Sequence, residues 1–196
     1  LGMKLGEDHE ATEELNIIKE EIARVGKIIL RIRDIPDELE QQTKSVDINQ
    51  LIQDLYKLFQ SSLFPMHNIS TELDLDSNLP HLDTQRGHIK QILTNLIKNA
   101  VEAMPEGGKL GIETRANAYI NGKQHIEIQI TDDGPGIDKE IMDQLFTPVT
   151  TTKDNSHSGL GLTIVKNLID ELSGSINCTS NSGAGTRFQI YLPRIG

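Results

Sequence analysis

A chain of 196 residues with 36% apolar and 24% charged side chains can bury a sizeable core in one or two domains, and its 19 basic and 29 acidic residues leave a formal charge of −10. That acidity argues against nucleic acid or an anionic membrane as the main partner. The single cysteine, Cys178, excludes an internal disulfide and fits a reducing compartment, and no apolar run reaches the roughly 18 residues a membrane span needs.

The chain begins at Leu1 without a signal peptide, and is expected to be part of a longer protein, with a membrane-anchored sensor upstream as one open arrangement. After a short polar start, a helix is expected over residues 12–32, with Glu13 and Glu14 in the first turn where the helix dipole favours them. Leu15, Ile18, Ile22, Val25, Ile29 and Ile32 alternate steps of three and four, the seam of a coiled coil. Nothing before it is long enough to pair along it. Its partners are expected from an upstream segment, a second copy, or both; folding back on the rest of the chain is the alternative. Asp34, Pro36 and the polar run that follows read as a linker over 37–45, separating 1–36 from a domain at 46–196.

Asp47 reads as the N-cap of a helix reaching about Leu63, with Ile48, Leu51, Ile52, Leu55, Leu58 and Phe59 inward and Pro65 ending it. Ile69, Thr71, Leu73 and Leu75 alternate with polar residues as a strand. Asp83 is taken to open the next helix, which buries Ile89, Ile92, Leu93, Leu96, Ile97, Ala100 and Met104 and stops at Pro105 and the Gly107-Gly108 turn. Residues 110–116 and 126–131 read as a hairpin with Asn121-Gly122 at its tip. A helix over 160–172 ended by Gly174, then strands over 175–180 and 186–192, complete the chain. Together these predict an α+β fold: a mostly antiparallel sheet with helices on one face.

Asn95 and Asn99 lie one turn apart on the second of these helices, so both amides leave the same side. Asparagine is a mediocre helix former, and an amide oxygen is a hard neutral ligand suited to Mg²⁺; two exposed polar side chains would read the same on this helix alone. Three glycine clusters follow: Asp132-Asp133-Gly134-Pro135-Gly136 after a strand, Ser158-Gly159-Leu160-Gly161-Leu162 opening a helix, and Gly183-Ala184-Gly185-Thr186 entering the last strand. Each alone is an ordinary turn signal. None is a Walker A loop or a dinucleotide-binding fingerprint.

As an ordered set, Asn95-x-x-x-Asn99, Asp132-x-Gly134-x-Gly136, Phe146, Gly159-x-Gly161 and Gly185-Thr186 resemble the N, G1, F, G2 and GT boxes of the GHKL ATP-binding superfamily. Within it, Asn-Leu-Ile-Lys-Asn-Ala-Val-Glu-Ala-Met and Leu-Phe-Thr-Pro-Val-Thr-Thr-Thr-Lys are most similar to sensor histidine kinases of the nitrogen-regulatory and sporulation type. The resemblance covers about 12–193. It implies the two-layer α/β sandwich of the Bergerat fold, preceded by one helix of a dimerisation and phosphotransfer hairpin, with ATP and Mg²⁺ as cofactors. It further implies that Asp132 takes the adenine amine, favouring ATP over GTP, beside Gly134, Gly136, Ile137 and Thr186. Ser158, Gly159, Leu160, Gly161 and Leu162 would hold phosphate at a helix start. Asn99 would ligate Mg²⁺, with Asn95 as its catalytic neighbour and Glu102 and Ala103 along the same helix end. The span between Gly136 and Gly159 reads as a lid hinged at Phe146, with Lys153 reaching the phosphates. Implied partners are a response-regulator receiver domain and a second copy paired through the hairpin helices, in the cytoplasm.

Where gyrase- and MutL-type members carry a glutamate base, this chain has Asn95, which lacks the basicity to activate water. Phosphoryl transfer needs mainly positioning and charge neutralisation, so the resemblance implies a kinase rather than a hydrolase. A nucleotide-binding regulatory module without phosphotransfer stays open as the alternative. Two features depart from the family pattern. His9-Glu10-Ala11-Thr12 lacks the apolar residue and proline of a phosphoacceptor motif, so the acceptor is expected upstream of Leu1, and Glu102 stands where many histidine kinases carry a cation.

Overall fold

A computed structural model describes residues 42–142, 145–146 and 160–194. By contacts the chain divides into two units, Leu1–Pro36 and Asp37–Gly196. The second contains every described residue; the heptad seam and His9 lie outside the described residues.

The order is β1 (Thr43–Val46), α1 (Ile48–Gln60), α2 (Leu63–Met66), β2 (Ile69–Leu75), β3 (Leu82–Gln85), α3 (Arg86–Glu102), β4 (Gly108–Ile120), β5 (Lys123–Asp132), α4 (Lys139–Met142), α5 (Leu160–Glu171), β6 (Ser175–Ser180) and β7 (Thr186–Pro193). Five strands form a sheet in the order β2-β4-β5-β7-β6, while β1 and β3 pair as a separate ribbon. The β2–β4 pairing is parallel and the other three in the large sheet are antiparallel.

Alternation gives this sheet two unlike faces. In cross-strand rows, Ile112, Ile130 and Phe188 stand together, then Thr114, Ile128 and Ile190, then Ile126 and Leu192, all buried. This face joins the apolar sides of α1, α3 and α5 in one core. The opposite face carries Arg115, Glu127 and Tyr191 in register, with Tyr191 and Gln189 both donating to Glu127. Thr114 is fully buried on the apolar face, but its hydroxyl donates to Asn49 Oδ1 at 2.9 Å and accepts from the Asp76 amide at 3.0 Å.

Local chemistry explains most boundaries. Asp47 caps α1 by accepting from the Gln50 amide at 2.9 Å. The β4–β5 tip is Asn121-Gly122, both at positive φ (50° and 74°), as a two-residue hairpin turn requires. Five expectations need correction. β1 begins at Thr43, inside the span read as linker, because β3 supplies a partner that the local sequence does not reveal. Asp83 lies in β3, and α3 starts only at Arg86 after Gln85. α1 ends at Gln60, and Pro65 sits within the separate short helix α2, where the missing amide of a first-turn residue costs nothing. Leu58 is 58% exposed rather than inward. At the end of α5 it is Ser173, at φ 55°, that takes the left-handed conformation, while the Gly174 amide closes back on the Ile169 carbonyl at 2.9 Å.

Candidate functional site

α3 spans the apolar face because Ile89, Ile92, Leu93, Leu96, Ile97 and Ala100 are all within 3% of full burial. Asn95 and Asn99 fall on its flank and are half-buried. The second amide faces the start of α5: a Cβ built on Gly161 would lie 3.7 Å from Asn99 Oδ1. The structure thus brings Asn99 and the first turn of α5 together. At the end of α3, Glu102 is exposed and Ala103, the C-cap, is half-buried, its carbonyl close against Gly134.

A second group gathers where β5 ends. Asp132 is 4% exposed and pairs across the ladder with Thr186, itself 6% exposed. Its Oδ1 accepts from the Gly134 amide at 3.0 Å. Burial holds this carboxyl above the usual carboxylate range, the amides of Gly134 and Thr186 draw it back down, and the charge of Asp133 adds to the rise. A buried carboxylate acceptor thus stands at a strand end, with closely packed glycines around it.

Two glycines fix the loops around it. Gly136 (φ 78°) lies against the Asn181 backbone and Gly185 (φ 79°) against the Asp132 carbonyl, and in each case a Cβ would run into the facing oxygen. The Gly183 amide donates to the Pro135 carbonyl at 2.6 Å, and the Ile137 amide to Ser180 Oγ at 2.8 Å. The first and third glycine clusters are therefore zipped into one wall. Ser180 was not singled out in the sequence, although alternation along β6 sets it on the same face as Ile176, beside the third cluster. Cys178 shares that face, and burial and the Asp132 carboxylate push its thiol up to about 11.

Of the other candidate residues, Ile137 is half-buried in the loop beside Ser180, and Phe146 and Leu162 are half-buried against the core. Leu160 begins α5. Lys153, Ser158 and Gly159 lie outside the described residues.

A mixed sheet covered on one face by helices, with these two groups at the same end of β5 and α3, defines the class seen in histidine kinase catalytic domains. The chain belongs to the family of histidine kinase-, DNA gyrase B- and HSP90-like ATPases, which matches residues 84–195. It is 34% identical to the sensory histidine kinase/phosphatase NtrB of Vibrio alginolyticus over 97% of its own length and 55% of that protein's. Among solved structures it resembles the catalytic domain of histidine kinase ThkA, with TM-score 0.67 and 31% identity over 78% of this chain and 96% of that one. It also resembles ThkA in complex with response regulator protein TrrA, with TM-score 0.67 and 28% identity over 99% of this chain and 52% of that one. The chain spans between about a quarter and about half of the curated relatives it matches, 23% to 55%.

Proposed function

We propose that this chain is the ATP-binding catalytic part of a sensor histidine kinase, moving the γ-phosphoryl of ATP to a histidine upstream of Leu1 and from there to an aspartate of a response-regulator receiver domain. The observation that carries the reading is the pairing of the Asp132–Thr186 pocket with Asn99 facing the first turn of α5. Asp132 accepts the adenine amine, and Gly134, Gly136 and Ile137 form the wall the base slides against. The first turn of α5, with Ser158, Gly159, Leu160, Gly161 and Leu162, offers amides to the phosphates. Phe146 anchors the lid, and Lys153 reaches the phosphates from it. Ala103 and Glu102 border the opening at the end of α3.

The donor set fits Mg²⁺. Among the described residues no group of three His, Cys, Asp or Glu could hold a metal, so a cage made wholly of protein carboxylates is not what these residues build. One amide oxygen, from Asn99, suits an ion that keeps waters and takes its remaining ligands from substrate phosphates. When bound, the ion neutralises phosphate charge. Asn95, with no basicity, orients without activating water.

The runs of heptads before Asp34 support pairing with a second copy through the hairpin helices. Among the described residues no helix is long and apolar enough to cross a membrane, and ATP as substrate supports a cytoplasmic setting. Calorimetry of ATP binding with and without Mg²⁺ tests the reading: binding should appear with the ion, and its absence under both conditions would overturn it.

A further inference from the structure

Ser180 Oγ stands among three groups. The Ile137 amide donates to it at 2.8 Å, it donates to the Gly185 carbonyl at 2.8 Å, and Thr186 Oγ1 lies 3.2 Å away. A serine hydroxyl has one proton and two lone pairs. The Gly185 carbonyl can only accept, and Gly185 is buried, where an unpaired carbonyl is costly. The serine proton therefore goes to Gly185, and one lone pair takes the Ile137 amide. The remaining lone pair takes the Thr186 hydroxyl proton. Thr186 is left with lone pairs alone to turn toward the pocket.

Its ladder partner Asp132 presents a second acceptor beside it. Two acceptors in register match a base edge carrying an amino group and meet a carbonyl oxygen with repulsion. We propose that Ser180 is a positioning residue which, by capturing the Thr186 proton, makes the pocket select 6-aminopurine over 6-oxopurine nucleotides. The proposal rests on the reading of Asp132 and Thr186 as base-binding. It assigns the selectivity to a proton order set by a side chain that itself stays behind the pocket wall.

The test is calorimetry of Mg·ATP and Mg·ITP on the full chain and on Ser180→Ala, Ser180→Thr, Thr186→Val and the Ser180→Ala/Thr186→Val double variant. With Ser180→Ala the Thr186 hydroxyl is freed to donate to a 6-oxo group, and the ATP-to-ITP affinity ratio should fall about tenfold. Ser180→Thr, which keeps the hydroxyl, should retain the parent ratio. Thr186→Val should lose the same share of selectivity, and adding Ser180→Ala to it should change the ratio no further. A purely architectural Ser180 would weaken both nucleotides equally; an unmoved ratio in Ser180→Ala, or in Thr186→Val should the alanine variant not fold, overturns the proposal. A parent chain that binds ATP with an unmoved ratio in the variants fails the Ser180 assignment alone. One that binds neither nucleotide fails the base-pocket reading as well.

Discussion

Asp132 shows at the scale of one residue how a buried carboxylate opposes stability. Its carboxyl is held above the ordinary range mainly by burial, so the folded chain keeps this proton more tightly than the unfolded one. The stability it contributes is present below the unfolded value and lost as pH rises through the folded one. At neutral pH the ionised group is a burden on the fold, which the proposed role as acceptor of the adenine amine would account for. Asp132→Asn should weaken ATP by roughly 1.5–3 kcal/mol, the worth of a hydrogen bond to a charged acceptor, without lowering the thermal midpoint at pH 7. Equal losses for ATP and for a triphosphate lacking the base would contradict that role. Affinity for ATP should also begin to fall on acidification above the ordinary carboxylate range, and this early loss should vanish in the variant. Asn99→Ala, at a half-buried position, should abolish Mg²⁺-dependent binding with little change in the midpoint; calorimetry showing unchanged affinity in Mg²⁺ would remove Asn99 from the site.

At the scale of elements, the apolar face of α3 is the main strut. Leu96 is 0% exposed, and Leu96→Ala should cost about 2–5 kcal/mol in urea unfolding, transfer loss plus cavity. The segment just after the edge strand β2 relies on a polar clasp. Asp76 accepts from the Asn78 amide and from the Ala116 amide, both at 2.9 Å, the second at the irregularity between Arg115 and Ala118 in β4. Those two amides hold its carboxyl below the usual range. A depressed value means stability present above the unfolded value and lost as pH falls through the folded one. Asp76→Ala should therefore lower the thermal midpoint at pH 7, and the gap to the parent should close on acidification below about 4.

What the sequence made legible at this scale was whatever depends on neighbours in the chain: the Asp47 cap, the Asn121-Gly122 turn, the spacing along α3. The β1–β3 ribbon escaped because each of its strands is four residues long and is specified by the other, 39 positions away at Thr43 and Leu82. Asp83 has the right chemistry for a cap, yet the ladder with β1 claimed its backbone first. Among candidate site residues, Asp132, Gly134, Gly136 and Thr186 were singled out from clustered glycines and one carboxylate. Ser180 was not, since the Ile137 amide it takes is 43 residues away.

For the whole molecule, the question to test is where the phosphoacceptor lies. This chain should bind ATP yet fail to label itself with γ-³²P-ATP, since His9 has neither the apolar residue nor the proline of an acceptor motif. Given a separate hairpin domain carrying the acceptor, it should label that histidine in trans, slowly, because the effective concentration supplied by a tether is gone. Acid-labile, base-stable phosphate on this chain alone, lost on His9→Ala, would relocate the acceptor. The β4–β5 tip has a further use. A Cβ on Gly122 would meet nothing within 4 Å, and neighbouring Tyr119 is 65% exposed. The ten residues of β5 carry the tip about 33 Å from Asp132. A fluorescent protein spliced between Asn121 and Gly122 would enter at a surface loop that tolerates insertion, and would tag the domain without crowding the proposed nucleotide site.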